Sequence, residues 1–547
     1  MKRLLFTLIL MAVGHAVRAD VAVLTQHNDL ARSGANSNER ILNTRNVNTS
    51  QFGLLFSRAV DDQIYTQPLI VPNVDLGARG RRTLVFVTTV NDSIYAFDAE
   101  NPAVSAPYWQ VSFLEGGAVP PTAADMTDAC GGDYSDFSGN IGIIGTPVID
   151  PLTHTLYVVA RTKEKGTNFV QRLHALDART GAERPGSPVI IAATYPGHGH
   201  GSAQGVLTFD GKRGNQRPAL ALVRGVVYIG WSSHCDWGPY HGWLMGYDAR
   251  TLGQVAVYNT TPDGDNGGIW MSGQAPAADE EGNLYIAVGN GTVGTDANRR
   301  DPVNRGESLL KLARAGNSLR LVSWFTPRNW EYLENTDNDF GNSGALLIPG
   351  TTLAFSGNKE GKVFLVDRDH MGGLSESDTD TNIVQSFQVS SAGSSFGLYG
   401  APVWWDAADG SYAYVWCKQD RLRQYKFDGR TGKFLLPEFA LGPLPDPVGM
   451  PGGMLSISAN GSAAGTGILW ATHPVKCDGN HGVCPGILRA YDAQNVSREI
   501  WNSDQTGGRD ATGSFAKFVA PTVANGKVYV ATFSKLLNVY GLRPVGP

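Results

Sequence analysis

After its first residues the chain lacks any apolar run near the about 20 residues that a membrane-spanning helix needs. Charge is scarce and balanced. Only 17% of residues are charged, the net charge is −5, and no basic cluster suited to nucleic acid occurs. Cysteine is scarce as well, with 5 in 547 residues. No Cys-x-x-Cys-His occurs, so no covalently attached haem is expected. What the chain has in quantity is turn chemistry, with 66 Gly and 29 Pro.

The turns punctuate a repeat. Its tail reads SIYAFDAEN from Ser93, RLHALDARTG from Arg172, WLMGYDARTLG from Trp243 and KVFLVDRD from Lys362. It continues with LRQYKFDGRTG from Leu422, ILRAYDAQN from Ile487 and LLNVYGL from Leu536. A second apolar run precedes each tail, as in TLVFVTT, TLYVVA, VVYIGW and KVYVAT. A Pro- or Ser-marked run precedes that, as in TQPLIV, GTPVID and APTVAN. A weaker unit lies between Asn283 and Phe325.

A period of about 40–70 residues made only of short strands predicts an all-β fold, a single propeller of roughly eight blades. No unit buries its own faces, so the blades must pack on one another in a ring. The last unit ends at Tyr540 with one strand too few. Residues 52–60 are expected to supply it and close the ring, hiding the edges an open array would expose. The propeller then spans 52–547, preceded by an arm over 20–51.

The first residues form an address. Met1-Lys2-Arg3 is basic, Leu4 to Val13 is apolar, and Val17-Arg18-Ala19 fits a cleavage site. Residues 1–19 are therefore expected to be a signal peptide, and the protein exported to the periplasm or secreted. Export permits disulfides. Cys477 and Cys484 bracket one loop and are expected to pair; Cys130–Cys235 is a second candidate pair. Cys417, inside an apolar strand, is expected to stay a thiol.

Polar residues gather in loops that a propeller places on one face, around its axis. The order of three stretches resembles the pyrroloquinoline quinone (PQQ) dehydrogenases, the eight-bladed quinoproteins of the methanol and ethanol dehydrogenase type. SSHCDWGPYHGWLMGYD resembles that family's segment carrying a metal-binding carboxylate, with Asp236 in its place. IWMSGQAPAADEEGNLYIAVGN resembles the segment from the Trp beneath the quinone to an Asn metal ligand, matching Trp270 and Asn290. FTPRNWEYLENTDNDFG resembles the segment of the catalytic base, matching Asp339 and, as second choice, Asp337. NKEGKVFLVDRD matches Lys359 to the residue that contacts the quinone oxygens.

The resemblance implies PQQ and Ca²⁺ as cofactors and a small alcohol or sugar as substrate. Asp236 and Asn290 would supply oxygen ligands to a hard cation, and Trp270 would stack on the flat ring system. Asp339 would take the substrate's proton. The family caps its quinone with a disulfide between adjacent cysteines, whereas here Cys130 is followed by Gly131. A second reading stays open from the residues alone: a non-enzymatic propeller that binds a glycan or a protein.

Overall fold

The structure, a computed structural model, describes residues 20–294, 303–391, 396–445 and 449–544. The expected signal peptide, 1–19, lies outside them. Eight sheets are arranged as the blades of one propeller. Their innermost strands are Leu69–Asp75, Val148–Asp150, Ala221–Val223, Ala277–Ala278, Leu346–Leu347, Val403–Ala407, Met454–Ser458 and Thr522–Ala524. Within each blade the core strands run antiparallel and mostly follow chain order from the axis outward. Among the described residues the one α-helix is Trp330–Thr336, and no helix is long and apolar enough to cross a membrane.

The repeat's two halves have separate physical causes. The second strands carry a mostly apolar run because both blade faces are covered. Val226–Trp231, for example, is buried throughout. The Asp of each tail serves the turn that follows. Asp248 Oδ1 accepts the backbone N–H groups of Arg250 and Thr251 at 3.0 and 2.9 Å. Asp177 receives Arg179 in the same way, and Asp428 receives Arg430. Such Asx turns need a short carboxylate at that point. Gly181 and Gly432 then adopt positive φ, 75° and 66°, where a Cβ would be strained.

The ring closes through its two ends. Phe52–Ala59 pairs antiparallel with Leu536–Leu542, from Phe52 opposite Leu542 to Ala59 opposite Leu536. Phe52 packs between Trp470 and Trp501, with ring centroids 5.4 and 4.9 Å away. Arg58 reaches the neighbouring blade and donates to Asn101 O at 2.7 Å.

The segment before this strand fills the axis. Val23 pairs with Ile70, and Leu24 O accepts Ile149 N at 2.9 Å. Leu30 O accepts Ala278 N, Ala31 O accepts Leu347 N, Ser33 O accepts Trp404 N, and Gly34 O accepts Ile457 N. These are inner strands of six different blades, so the arm runs inside the ring. Arg32 is its anchor, fully buried. Its guanidinium donates to Pro276 O at 3.0 and 2.7 Å, to Thr25 Oγ1 at 2.8 Å and to Gln26 O at 2.8 Å. Arg32→Ala leaves those buried acceptors unsatisfied. It is expected to destabilise the fold by about 2–4 kcal/mol, read as a lower thermal midpoint.

Both expected disulfides form, Cys130–Cys235 and Cys477–Cys484, and Cys417 is a buried thiol outside them.

Candidate functional site

Loops entering an inner strand and loops joining the second and third strands of a blade share one face. Asp236 lies between the strands Val226–Trp231 and Trp243–Asp248. Trp270 lies in the connection leading to Ala277–Ala278. Asp337 and Asp339 lie in the connection leading to Leu346–Leu347. Lys359 sits in the tight turn between Leu353–Gly357 and Lys362–Asp367. The alternation of the chain thus carries all five to one mouth of the ring.

There they line one cavity of about 250 Å³. The walls also include Cys130 and Cys235, Phe137, Arg217, Tyr399, Lys517 and Phe518. Asn290, matched from sequence to a metal ligand, does not line this cavity. It stands behind Asp337 and donates Nδ2 to Asp337 Oδ1 at 2.8 Å, while its own buried Oδ1 has no partner.

Lys359 is the electrostatic centre. Its Nζ lies 2.7 Å from Asp337 Oδ1 and 2.5 Å from Asp339 Oδ1. Burial disfavours the ammonium, but Asp339 and Asp337 outweigh it and hold its pKa well above the ordinary lysine range. Asp339 is buried beneath it. Burial raises the Asp339 carboxyl to about 6, against the pull of Lys359 and with the added push of Asp337. Asp337, by contrast, is exposed at the mouth and caps the helix Trp330–Thr336 at φ 54°. A buried carboxyl titrating near neutrality beside a fixed cation is suited to moving a proton.

The rest of the acidic side was not legible in the motifs. Glu307 is fully buried, with Oε2 accepting Phe340 N at 2.6 Å and Oε1 without a partner. Burial and the charge of Asp339 push its pKa well up. Glu334 accepts the backbone N–H of Gly291. Tyr240 donates its hydroxyl to Asp236 Oδ1, and burial raises the Asp236 pKa. Among the described residues no group of three or more His, Cys, Asp or Glu side chains is assembled around a point that holds a metal ion.

Backbone strain concentrates at the same place. Cys130, Cys235, Asp236, Ser272, Asp337 and Phe518 all have φ between 42° and 62°, and all line the cavity. Six non-glycine residues in the left-handed region around one cavity mark a constrained site rather than an ordinary set of turns. The Cys130–Cys235 bridge ties the loop of residues 113–140 to the strand connection that carries Asp236. Tyr134 reinforces it with a 2.6 Å hydrogen bond to His234 Nδ1.

Solved structures share this architecture. A quinohemoprotein alcohol dehydrogenase from Pseudomonas putida HK5 matches 96% of the chain and 81% of its own, with TM-score 0.57 and 15% identity. A europium-containing methanol dehydrogenase matches 95% and 98%, with TM-score 0.61 and 12% identity. The fold is that of the quinoprotein dehydrogenases. A quinohemoprotein alcohol dehydrogenase from Comamonas testosteroni matches 98% and 82% of the two chains, with TM-score 0.56 and 15% identity. No protein-family model and no curated sequence matches the chain. The quinoprotein likeness in sequence is thus confined to short stretches, while the propeller is shared over nearly the whole length.

Sequence reasoning missed Arg217 and Lys517. Both stand on loops entering an inner strand, just upstream of Pro218 and Pro521. A basic residue ahead of a Pro-marked inner strand was the available signal.

Proposed function

We propose that this chain is a quinone-dependent oxidoreductase that oxidises a small alcohol or sugar in the axial cavity. The observation that carries the reading is Lys359 held between Asp337 and Asp339 in the cavity that Trp270 lines. The cavity suits a flat, carboxylated quinone such as PQQ: Trp270, Phe137, Tyr399 and Phe518 offer aromatic surface, and Arg217 offers a buried donor atom without a partner. When bound, the quinone supplies the two-electron acceptor for alcohol oxidation.

This chain's own residues do the rest. Trp270 would stack on the ring system and fix its plane. Lys359 would donate to oxygens that gain negative charge. Asp339 would accept the substrate's hydroxyl proton at a carboxylate oxygen. Asp337, exposed at the mouth, is the alternative base. Asp236, which lines the cavity, would offer an oxygen donor to a hard cation such as Ca²⁺; Asn290, whose buried Oδ1 has no partner, would join it only by turning out from behind Asp337. Export to the periplasm or beyond is part of the proposal, and the two disulfides are compatible with it.

The test is to add PQQ and Ca²⁺ to the purified chain and record tryptophan fluorescence and dye reduction with a series of alcohols and sugars. Quenching at micromolar quinone, together with alcohol-dependent dye reduction, is expected. Trp270→Ala should weaken quinone binding by about 10-fold or more, because it removes the stacking face. Absence of quinone binding would overturn the proposal in favour of a propeller that binds a glycan or protein.

A further inference from the structure

Glu307 does not line the axial cavity, yet it builds the bed of the residue that would take the proton there. It stands in the turn between the strands Asn304–Arg305 and Ser308–Ala315. Its backbone N–H donates to Gly289 O at 2.9 Å, and its side chain accepts Phe340 N at 2.6 Å through Oε2. One residue thus joins the two segments that enclose Asp339: Gly289, against its carboxylate, and Phe340, next after it in the chain.

The bed leaves no slack. A Cβ on Gly289 would stand 2.5 Å from Asp339 Oδ2 and 3.1 Å from Trp270 Cδ1, so the carboxylate and the indole meet across a bare Cα. A Cβ on Gly341 would collide with Gly289 N. Asp339 is therefore set against Trp270 by the packing of three backbone segments, and the Glu307 carboxyl is a side-chain tie between them.

The tie is held under strain and at electrostatic cost. Glu307 has φ 49°, in the left-handed region that a residue with a Cβ rarely adopts. It is fully buried, and its Oε1 has no hydrogen-bond partner among the described residues. Burial and the charges of Asp339 and Glu334 oppose its ionisation, against the pull of the Phe340 N–H and Lys359. A group that only filled this space would be better apolar. What an apolar side chain cannot do is hold the Phe340 N–H.

We infer that Glu307 is a positioning residue, whose carboxyl clamps the Phe340 N–H and so fixes the Asp339 carboxylate against Trp270. The inference deepens the quinone-site reading and rests on it for the role of Asp339, though not for the clamp. With Asp339 ionised nearby, Glu307 keeps its proton, and the clamp works as a neutral acceptor through Oε2. The reach of the side chain matters, and its charge does not.

The experiment compares wild type with two variants of the full chain. Glu307→Gln keeps the reach and an acceptor, whereas Glu307→Met loses the acceptor. Asp339 is read first without any quinone. Its ionisation beside Trp270 should appear in a pH titration of tryptophan fluorescence, with Asp339→Asn as the blank. In wild type the difference should titrate at about 6, the value to which burial raises this carboxyl. Glu307→Gln should keep that midpoint. Glu307→Met should lower it by at least about half a pH unit, because a carboxylate freed from its bed regains water. With PQQ, Ca²⁺ and an alcohol, Glu307→Met should lose about 10- to 100-fold in kcat while PQQ affinity stays within a few-fold, and Glu307→Gln should retain most of the rate. If Glu307→Met does not fold, Glu307→Asp, which falls a methylene short of Phe340 N, carries the same expectations.

Wild-type midpoint and rate in a folded Glu307→Met would overturn the inference, even with a lower thermal midpoint, which marks a merely structural role. A Glu307→Gln chain as impaired as Glu307→Met would overturn it as well, because the charge would then matter and not the reach. So would wild type without a titration near pH 6. If wild type shows no quinone-dependent rate, the proposed function fails by itself, and the fluorescence midpoints alone decide the clamp.

Discussion

Asp339→Asn is expected to lower quinone-dependent dye reduction by about 100- to 10,000-fold while leaving PQQ affinity within a few-fold of wild type. The asymmetry follows from geometry. Asparagine keeps the shape of the side chain and an oxygen near Lys359 Nζ, which lies 2.5 Å from Asp339 Oδ1. It removes only the ability to take a proton. The wild-type rate should also depend on pH in a definite direction. Burial raises the Asp339 carboxyl to about 6. A base must be ionised to act, so the rate should climb as pH rises through about 6 and level off above it. In Asp339→Asn this limb should vanish. A variant with the wild-type rate would sink the assignment; a surviving limb with a normal rate would move the base to Asp337, whose exposed carboxylate is the alternative.

Phe52→Ala is expected to cost about 3–5 kcal/mol. Removing Phe52–Ala59 altogether should abolish soluble, folded protein. Phe52 is fully buried among Trp470, Trp501 and Tyr540, so its loss opens a cavity where two blades and the closing strand meet. With domain stabilities of about 5–15 kcal/mol, that single change consumes a large share. Deletion does more. It leaves the strand Leu536–Leu542 without its outer neighbour, exposing a row of unpaired backbone groups. It also removes Arg58, whose hydrogen bond to Asn101 O ties the last blade to the first. Denaturation of Phe52→Ala and size-exclusion chromatography of the deletion would check both. A soluble monomer with wild-type circular dichroism after deletion would refute the closure argument.

The architecture was legible because a propeller repeats the same solution to the same problem. Each second strand is covered on both faces and is mostly apolar; six of the eight third strands end in an Asp because the following turn needs a short acceptor, as Asp248 shows with Arg250 and Thr251. Those demands are local and recur, so they print a period on the chain. The cavity residues were legible for a different reason. Asp236, Trp270, Asp337, Asp339 and Lys359 all stand on connections of one kind, and the alternation of strands sends such connections to one face.

Three features needed the folded chain. The path of residues 20–38 through the ring is one: nothing periodic marks it, because its carbonyls answer six blades in turn. The retreat of Asn290 behind Asp337 is another, since spacing places a residue on a loop but not on a particular side of its neighbour. The pairing of Arg217 with Lys517 is the third. They are 300 positions apart in the chain, and only folding brings both, buried, into one wall of the cavity beside Asp136. By itself, then, the sequence determined the ring, the number of its blades and the face that carries the polar loops, because these follow from local strand and turn chemistry. Tertiary structure alone decided how the axis is plugged and which charged groups meet in the cavity, because both depend on contacts between segments that share no local signal.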